Sequence, residues 1–434
     1  MQMPKKTIKK NKYRSLSRKW SNMRSVSRAK ALRTICNDSN LCMAIGKSYD
    51  KILDFFNNFH SFEYVTDNIQ RIGGDTANGV IYQIKYEHEH YNAYSVLKLS
   101  IDDESDNLMY EYLVGSFLNR IMYKTICFIG TFGIFKFKNQ YVWNQFVHGN
   151  KYYSYINKKF LLDNLSYLDP APTISTIHTS CQEPSMRCIL IENIPSAKTL
   201  HDMNNNYEFI QNDFIFVYYQ IYAGLVMLNG DFVHNDLHSS NVLIYQPFVD
   251  TYFIYEYHFR DKITTFYSPY IAKIIDYGRS YFYENEQNNS AVVLKKICQS
   301  KECKPECGAD YGYYQINKYI NKKYARNISA DLRLISYSDS KRKQRNSYYY
   351  MKFVEHIFKK VVYKHRHSTP INKIRGYPTS INNIYDAYDA IYDFMTNQEI
   401  IDDNHSKYID SGLYTCKGKL VIYDDGRSME YIEM

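Results

Sequence analysis

An acid and an amide stand five positions apart in the run His234-Asn235-Asp236-Leu237-His238-Ser239-Ser240-Asn241, and a second acid follows at Asp276 in Asp276-Tyr277-Gly278. Each group borders a short apolar strand, Val242-Leu243-Ile244 after Asn241 and Ile271 to Ile275 before Asp276. Phosphoryl transfer asks little covalent work of a protein; it needs an aligned hydroxyl, screened phosphate charge and metal ions held in place. Asp236 has the chemistry to accept or orient the proton of an attacking hydroxyl, and Asn241 and Asp276 offer the oxygen ligands that Mg²⁺ prefers. A chain that uses these groups together must fold so that positions 236, 241 and 276 converge.

Upstream, Ile69 to Tyr82 reads as strand, turn and strand, with Gly73, Gly74 and Gly79 around Asp75-Thr76-Ala77-Asn78. Tyr94 to Leu99 is a short apolar strand holding one lysine, Lys98, and Asn107 to Ile121 offers an amphipathic helix bearing Glu111 near its start. Cys188 to Glu192 reads as a buried strand leading into Asn193, Ile194 and Pro195. Residues 211–230 read as a helix, capped by Asn212 or Asp213 and ended by Gly230. Taken in order, these segments resemble the protein kinase superfamily: the 234–241 loop is similar to His-Arg-Asp-Leu followed by Asn, and Asp276-Tyr277-Gly278 to Asp-Phe-Gly.

The resemblance implies ATP and Mg²⁺ as cofactors, Asp236 as the base, and Asn241 and Asp276 as metal ligands. It also implies a nucleotide loop on Gly74 and Gly79, with Thr76 where the middle glycine belongs and Val80 or Ile81 over the adenine. Lys98 would grip the α and β phosphates, with Glu111, or failing it Glu104, as its partner; Glu192 and Ile194 would form a hinge whose backbone binds the adenine edge. Asp331 resembles the helix acid that supports the catalytic loop from below, and His234 reads as a structural histidine of that loop. Plainer readings stand beside these: a hairpin with three glycines, an edge-strand lysine reaching to water, and an Asp at a helix start.

The departures from the family carry information. Asn235 replaces the arginine that answers a phosphorylated activation loop, so that switch would lack its partner. His238 stands where Ser/Thr kinases have lysine; a histidine there resembles haspin-like kinases and the aminoglycoside and choline phosphotransferases, and Ile274-Ile275-Asp276-Tyr277 is also similar to haspin. Thirty-four residues separate Asn241 from Asp276, which implies an insertion at Gln246 to Tyr270, rich in Phe and Tyr and read as a packed excursion. No Ala-Pro-Glu segment follows. Cys298, Cys303 and Cys307 invite a zinc reading, but only the last two approach ligand spacing, so free thiols are preferred.

Charge is concentrated at one end. Residues 1–34 hold 12 Lys and Arg and no acid, while the rest carries 42 basic against 45 acidic residues. Such a segment is either a solvated extension or a contact for nucleic acid or an acidic partner, and serines beside its arginines could be phosphorylated. No apolar run approaches the roughly 20 residues of a membrane span, and nine scattered cysteines do not read as a disulfide framework. A soluble intracellular protein, cytoplasmic or nuclear, is expected. The 46 tyrosines, with abundant Asn, Ile and Lys, are what an AT-rich coding sequence yields, as in a large DNA virus or an AT-rich microbe.

Shorter segments complete the reading. Residues 41–60 suit a short helix, Cys127 to Phe137 and Gln140 to Val147 read as strands, and 150–186 reads as an irregular loop. Ser380 caps a helix with the apolar stripe Ile381, Ile384, Tyr385, Tyr388, Ile391 and Tyr392, and 420–432 forms a terminal hairpin. The expected architecture is α+β, a bilobal protein kinase-like fold. It has a basic, partly disordered extension over 1–60, an antiparallel β-rich lobe over 61–195, and a mainly helical lobe over 196–434 with the insertion near 246–270. The expected activity is transfer of the γ-phosphate of Mg-ATP to Ser or Thr hydroxyls of a protein substrate. The alternatives are a small-molecule phosphotransferase of the aminoglycoside or choline kinase type and a pseudokinase scaffold.

Overall fold

Six strands set the frame of the first half. The computed structural model describes residues 48–76, 79–99, 107–148, 156–168, 186–297, 327–338, 348–361 and 380–434. Strands β1 (Val65–Thr76), β2 (Gly79–His88), β3 (Tyr91–Leu99), β4 (Thr131–Phe137), β5 (Leu165–Tyr167) and β6 (Arg187–Glu192) make one antiparallel sheet in the order β1-β2-β3-β6-β4-β5. Alternate side chains of a strand point to opposite faces, and here Tyr82, Ile84 and Tyr86 of β2 and Ala93, Ser95 and Leu97 of β3 are buried together. That face packs on the segment after helix α1 (Ser48–Phe55), where Phe59 meets Tyr86 edge-on at 4.8 Å and stacks on Phe132 at 4.1 Å. Residues 41–47 of the expected first helix, and the basic segment before them, lie outside the described residues.

Helix α2 (Asn107–Asn119) packs on the same sheet. Glu111, Gly115 and Asn119 follow one another at four-residue spacing and so share one helix face. Asn119 exchanges hydrogen bonds with the Thr131 backbone, at 2.6 and 3.0 Å, and a Cβ on Gly115 would collide with the Thr131 hydroxyl. The glycine is therefore what lets α2 lie this close to β4.

Two expectations for this half are corrected. Gln140–His148 is a helix, not a strand: the Asn139 carboxamide accepts from Tyr141 N at 2.7 Å and starts it. Part of the supposed irregular loop is ordered as helix Lys158–Asn164, capped by Asn157, followed by β5; residues 169–185 lie outside the described residues.

The second half combines helices with β7 (Lys198–Thr199), β8 (Phe232–Val233), β9 (Val242–Tyr245), β10 (Thr251–Phe259), β11 (Lys262–Ser268), β12 (Ile271–Ile274), β13 (Tyr281–Asn285), β14 (Asn288–Asn289), β15 (Thr415–Tyr423) and β16 (Glu430–Glu433). They form three sheets, β12-β9-β7, β14-β13-β8 and β11-β10-β15-β16. Helix α3 (Phe214–Met227) is apolar on all sides and buried almost throughout, as a core helix must be. The expected 211–230 helix breaks at Asp213, whose non-helical backbone separates Tyr207–Asn212 from α3. Two further helices bear on the argument, α4 (Arg333–Ser338) and α5 (Ile384–Met395). The latter starts at Asn383, whose side chain accepts from Tyr385 N and Asp386 N, so the cap is Asn383 rather than Ser380.

The insertion is the antiparallel hairpin β10–β11, packed on α3: Phe266 stacks on Phe216 at 4.9 Å and Tyr257 meets Tyr219 edge-on at 5.0 Å. β10 also runs parallel to β15, which joins the C-terminal hairpin β15–β16 to the same sheet. This shared sheet makes the region after residue 196 richer in strand than the mainly helical expectation. No helix among the described residues is long and apolar enough to cross a membrane. The molecule is thus a mixed α and β protein with antiparallel sheets predominating.

Candidate active site

The site begins with one ladder. β9 and β12 pair with Val242 opposite Ile274, and the Ile275 N–H extends the pairing to the Asn241 carbonyl at 3.1 Å. Asn241 and Asp276, distant in sequence, therefore emerge at the same end of two short strands. The insertion leaves from the other end, between Tyr245 and Ile271, and does not disturb this convergence.

Asp276 is left-handed, with φ 67° and ψ 73°, a region that a residue with a Cβ enters at a cost. The turn it makes delivers Tyr277 into the core, where its hydroxyl accepts from Ile129 N and donates to the Ile274 carbonyl, both at 2.8 Å. The Asp276 carboxylate meets the lysine of β3: Lys98 Nζ lies 3.1 Å from Asp276 Oδ1 and 2.7 Å from Glu111 Oε2 on α2. Burial by itself pulls the Lys98 pKa down, but Asp276 and Glu111 more than offset it, and the ammonium is held above its ordinary value. The Lys98 charge holds the Asp276 carboxyl below the usual range. Burial pushes Glu111 up against the pull of Lys98, and the nearby Asp276 adds to the rise. One ammonium thus faces two carboxylates, and the Asp276 side chain is 36% exposed.

The catalytic-loop candidates are held from three sides. Asp331, buried in the turn before α4, accepts the backbone N–H groups of His234 at 2.8 Å and Asn235 at 2.9 Å. Burial raises its pKa, and these two bonds oppose the rise. The His234 ring Nε2 lies 2.8 Å from the Ile275 carbonyl, which ties the loop to the strand preceding Asp276. Asn235, left-handed at φ 63°, donates from its amide to the Arg279 carbonyl at 3.2 Å. The Asn241 amide nitrogen donates to the Asp236 carbonyl at 3.0 Å, which leaves its oxygen unengaged among the described residues.

The side chain of Asp236 is flanked by two arginines that the sequence reading did not single out. Arg279 Nη1 is 3.1 Å from Asp236 Oδ2, and Arg333 Nη1 pairs with Asp236 Oδ1. Arg279 follows Asp276-Tyr277-Gly278 by one position and Arg333 follows Asp331 by two, so proximity in sequence to other candidates was the only available signal.

The remaining candidates are placed by register. Thr76 pairs with Gly79, so Gly74 lies within β1 and Gly79 opens β2. Val80 pairs with Leu99, whereas Ile81 pairs with Lys98 and shares its face. Of the two residues named as an apolar cover, Ile81 is therefore the one on the Lys98 face, and Val80 lies on the opposite face with Leu99. Val96 and Ile191, paired across β3 and β6 and partly exposed, extend the same face. Leu243 is the partly exposed residue of β9, two positions beyond Asn241. Glu192 spends its carboxylate on Gly130 N at 3.0 Å, so its side chain is structural, and Ile194 is buried beside it in sequence. Glu104 and Cys298, Cys303 and Cys307 lie outside the described residues.

No three His, Cys, Asp or Glu side chains among the described residues gather into a metal cluster. Asn241 and Asp276 instead offer two side chains with oxygen ligands, one with its oxygen unengaged among the described residues and one partly exposed. This fits a hard cation that takes one or two protein ligands and completes its shell with phosphate and water. Compared with protein-family models and with curated proteins, the sequence matches none.

Proposed function

We propose that the protein is a kinase-like phosphotransferase that moves the γ-phosphoryl group of Mg-ATP to Ser or Thr hydroxyls of a protein. In this reading the six-stranded sheet with α2 is the smaller of two lobes, and the region after residue 196 is the larger. The observation that carries it is the Lys98 ammonium shared by Glu111 and Asp276, which lie 13 and 178 positions away. Both acids stand within hydrogen-bond distance of the one ammonium, at 2.7 and 3.1 Å, and the more exposed one stands next to the loop of Asp236 and Asn241.

Bound Mg-ATP would supply the transferable phosphoryl group and the screening of its charge. Asn241 and Asp276 would hold the metal, and Lys98, kept in position by Glu111, would orient the phosphates. Asp236 would accept or orient the acceptor hydroxyl proton. Ile81, Val96 and Ile191 on one side, with Leu243 on the other, would give the base an apolar seat. The basic segment, with 12 Lys and Arg in residues 1–34, favours a macromolecular acceptor over a small alcohol. It also suits contact with nucleic acid or an acidic partner inside a cell.

The test is purified protein with Mg²⁺ and γ-labelled ATP, offered generic proteins and then a panel of small alcohols, with Asp236→Asn as control. Label on protein that disappears in the variant is the expected result. Transfer to small alcohols alone would replace the protein acceptor with a metabolite, and nucleotide binding without transfer would make the chain a scaffold.

A further inference from the structure

The loop resemblance leads one to expect a lysine two positions after the catalytic acid, and this chain has His238 there. The His238 ring is not a substitute cation. Its Nδ1 accepts from Ser240 N at 3.2 Å, capping the short turn Ser239–Asn241, and a nitrogen that accepts carries no proton.

Positive charge reaches the acid from elsewhere. Arg279 comes from the turn after Asp276 and Arg333 from the start of α4, and each takes a different oxygen of Asp236. Two guanidiniums, one on each oxygen, hold a carboxylate from both ends, which the single point charge of a lysine ammonium does not do. Each carboxylate oxygen has two lone pairs, so one arginine apiece still leaves room to accept from a hydroxyl. The arms are built to hold still. Asn235 fastens the Arg279 backbone to the loop, and Arg333 stands two residues beyond Asp331, which fastens the same loop through its backbone.

We infer that Arg279 and Arg333 are the positioning residues of the transfer reaction, clamping the Asp236 carboxylate from two separate segments in place of a lysine at position 238. The inference rests on the phosphotransferase reading above. Because the arginines act through Asp236, their loss should lower kcat and leave nucleotide affinity alone. A misplacement of about 1 Å at a reacting group costs on the order of 10²-fold in rate. Arg333→Met, whose side chain is only 16% exposed, should approach that loss, and Arg279→Met, at 32%, should lose roughly 10-fold.

The experiment measures kcat, KM for Mg-ATP and binding of a fluorescent ATP analogue for the wild type, Arg279→Met, Arg333→Met, Arg333→Lys and Asp236→Asn. Expected are a fall in kcat in both Met variants, KM and analogue affinity within about twofold, and partial recovery in Arg333→Lys, which restores charge without the planar fork. If Arg333→Met does not fold, Arg279→Met on its separate and more exposed segment carries the same division between kcat and KM. An unchanged kcat in Arg279→Met and Arg333→Lys, or a loss matched by weaker nucleotide binding, overturns the inference while the reaction stands. A wild type that transfers phosphate to nothing, or an Asp236→Asn variant with full activity, overturns the phosphotransferase reading and this inference with it.

Discussion

Two acids in this molecule are built to opposite ends. Asp213, at the junction before α3, has a side chain 2% exposed, and every direction around it is filled. Its Oδ1 accepts from Ser268 at 3.0 Å and Tyr408 at 2.7 Å, and its Oδ2 from Lys407 at 3.1 Å, with Tyr408 at 2.9 Å. The Lys407 ammonium lies 3.1 Å from Asp213 and 3.8 Å from the exposed Glu208, and the cluster joins α3, the insertion hairpin and the turn Ser406–Asp410. Around Lys98 the acceptors are not all filled. Two carboxylates share one ammonium, Asp276 is partly exposed, and the Asn241 oxygen is unengaged among the described residues. Closure marks a joint that holds chain segments together; convergence with acceptors left over marks a place for something to bind.

The sharpest way to break the comparison is to remove one acid from the candidate site and one from the Asp213 cluster, and to read rate and stability separately. Asp236→Asn should lower kcat by roughly 10³-fold, within the range for a lost general base, with only a modest change in thermal midpoint. Asp213→Ala should do the reverse. It strands Lys407, Tyr408 and Ser268, and removing one partner of a buried pair costs about 3–5 kcal/mol. Activity per folded molecule should stay within about twofold of wild type, because the Asp213 cluster touches none of the candidate site residues. Denaturant titration together with initial rates checks both; a loss of kcat in Asp213→Ala as large as in Asp236→Asn would erase the distinction.

The two acids also differ in the sign of their pH dependence. Burial raises the Asp213 carboxyl above its ordinary value, with Lys407 and Tyr408 only partly opposing it. A raised folded pKa means the folded state takes up its proton first, so this contribution is full below about pH 4 and is lost as pH rises through the folded value. The Lys98 charge depresses Asp276, so its contribution is full above about pH 4 and is lost only as pH falls below that. Stability measured from pH 7 down to about 4.5 should therefore rise in the wild type relative to Asp213→Asn, by up to about 1.4 kcal/mol per pH unit across the window. An Asp276→Asn variant should show no such divergence above pH 4.5. Parallel curves for wild type and Asp213→Asn would remove the claim that burial governs Asp213.

What the chain disclosed in advance follows the same division. Lys98, Glu111, Asp236, Asn241 and Asp276 were legible because short-range order, a loop between strands or a lysine in an apolar strand, already constrains them. Asp331 and His234 were legible too, and their bonds to the loop backbone and to Ile275 match the support expected of them. Arg279 and Arg333 were not, because which of many arginines reaches a given acid depends on segments that meet only in three dimensions. The helix Gln140–His148 was read as a strand because its Tyr, Val, Trp and Phe favour strands in isolation. Asn139, the residue that caps it, was the overlooked sign. The hairpin β10–β11 was recognised as an insertion, but its parallel pairing with β15, some 160 residues on, has no local signature.

The smallest predicted effect probes how the open cluster is kept in register. Gly115 sits one turn after Glu111 on the face of α2 that meets β4, and a Cβ there would strike the Thr131 hydroxyl. Gly115→Ala must then push α2 outward, at a cost of about 1–3 kcal/mol for overpacking. Glu111 rides on the same face and would retreat from Lys98, loosening the lysine from one of its two acids. The expected loss of kcat is about 10-fold, smaller than for a residue at the chemistry, because Asp276 still holds Lys98. The Thr131 hydroxyl makes no hydrogen bond among the described residues, so Thr131→Ala added to Gly115→Ala should restore part of both rate and midpoint. An equal change in Thr131 without the alanine at 115 should do little. A Gly115→Ala protein with wild-type kcat would show that the Lys98–Glu111 contact tolerates displacement, and would make Asp276 alone the partner that matters.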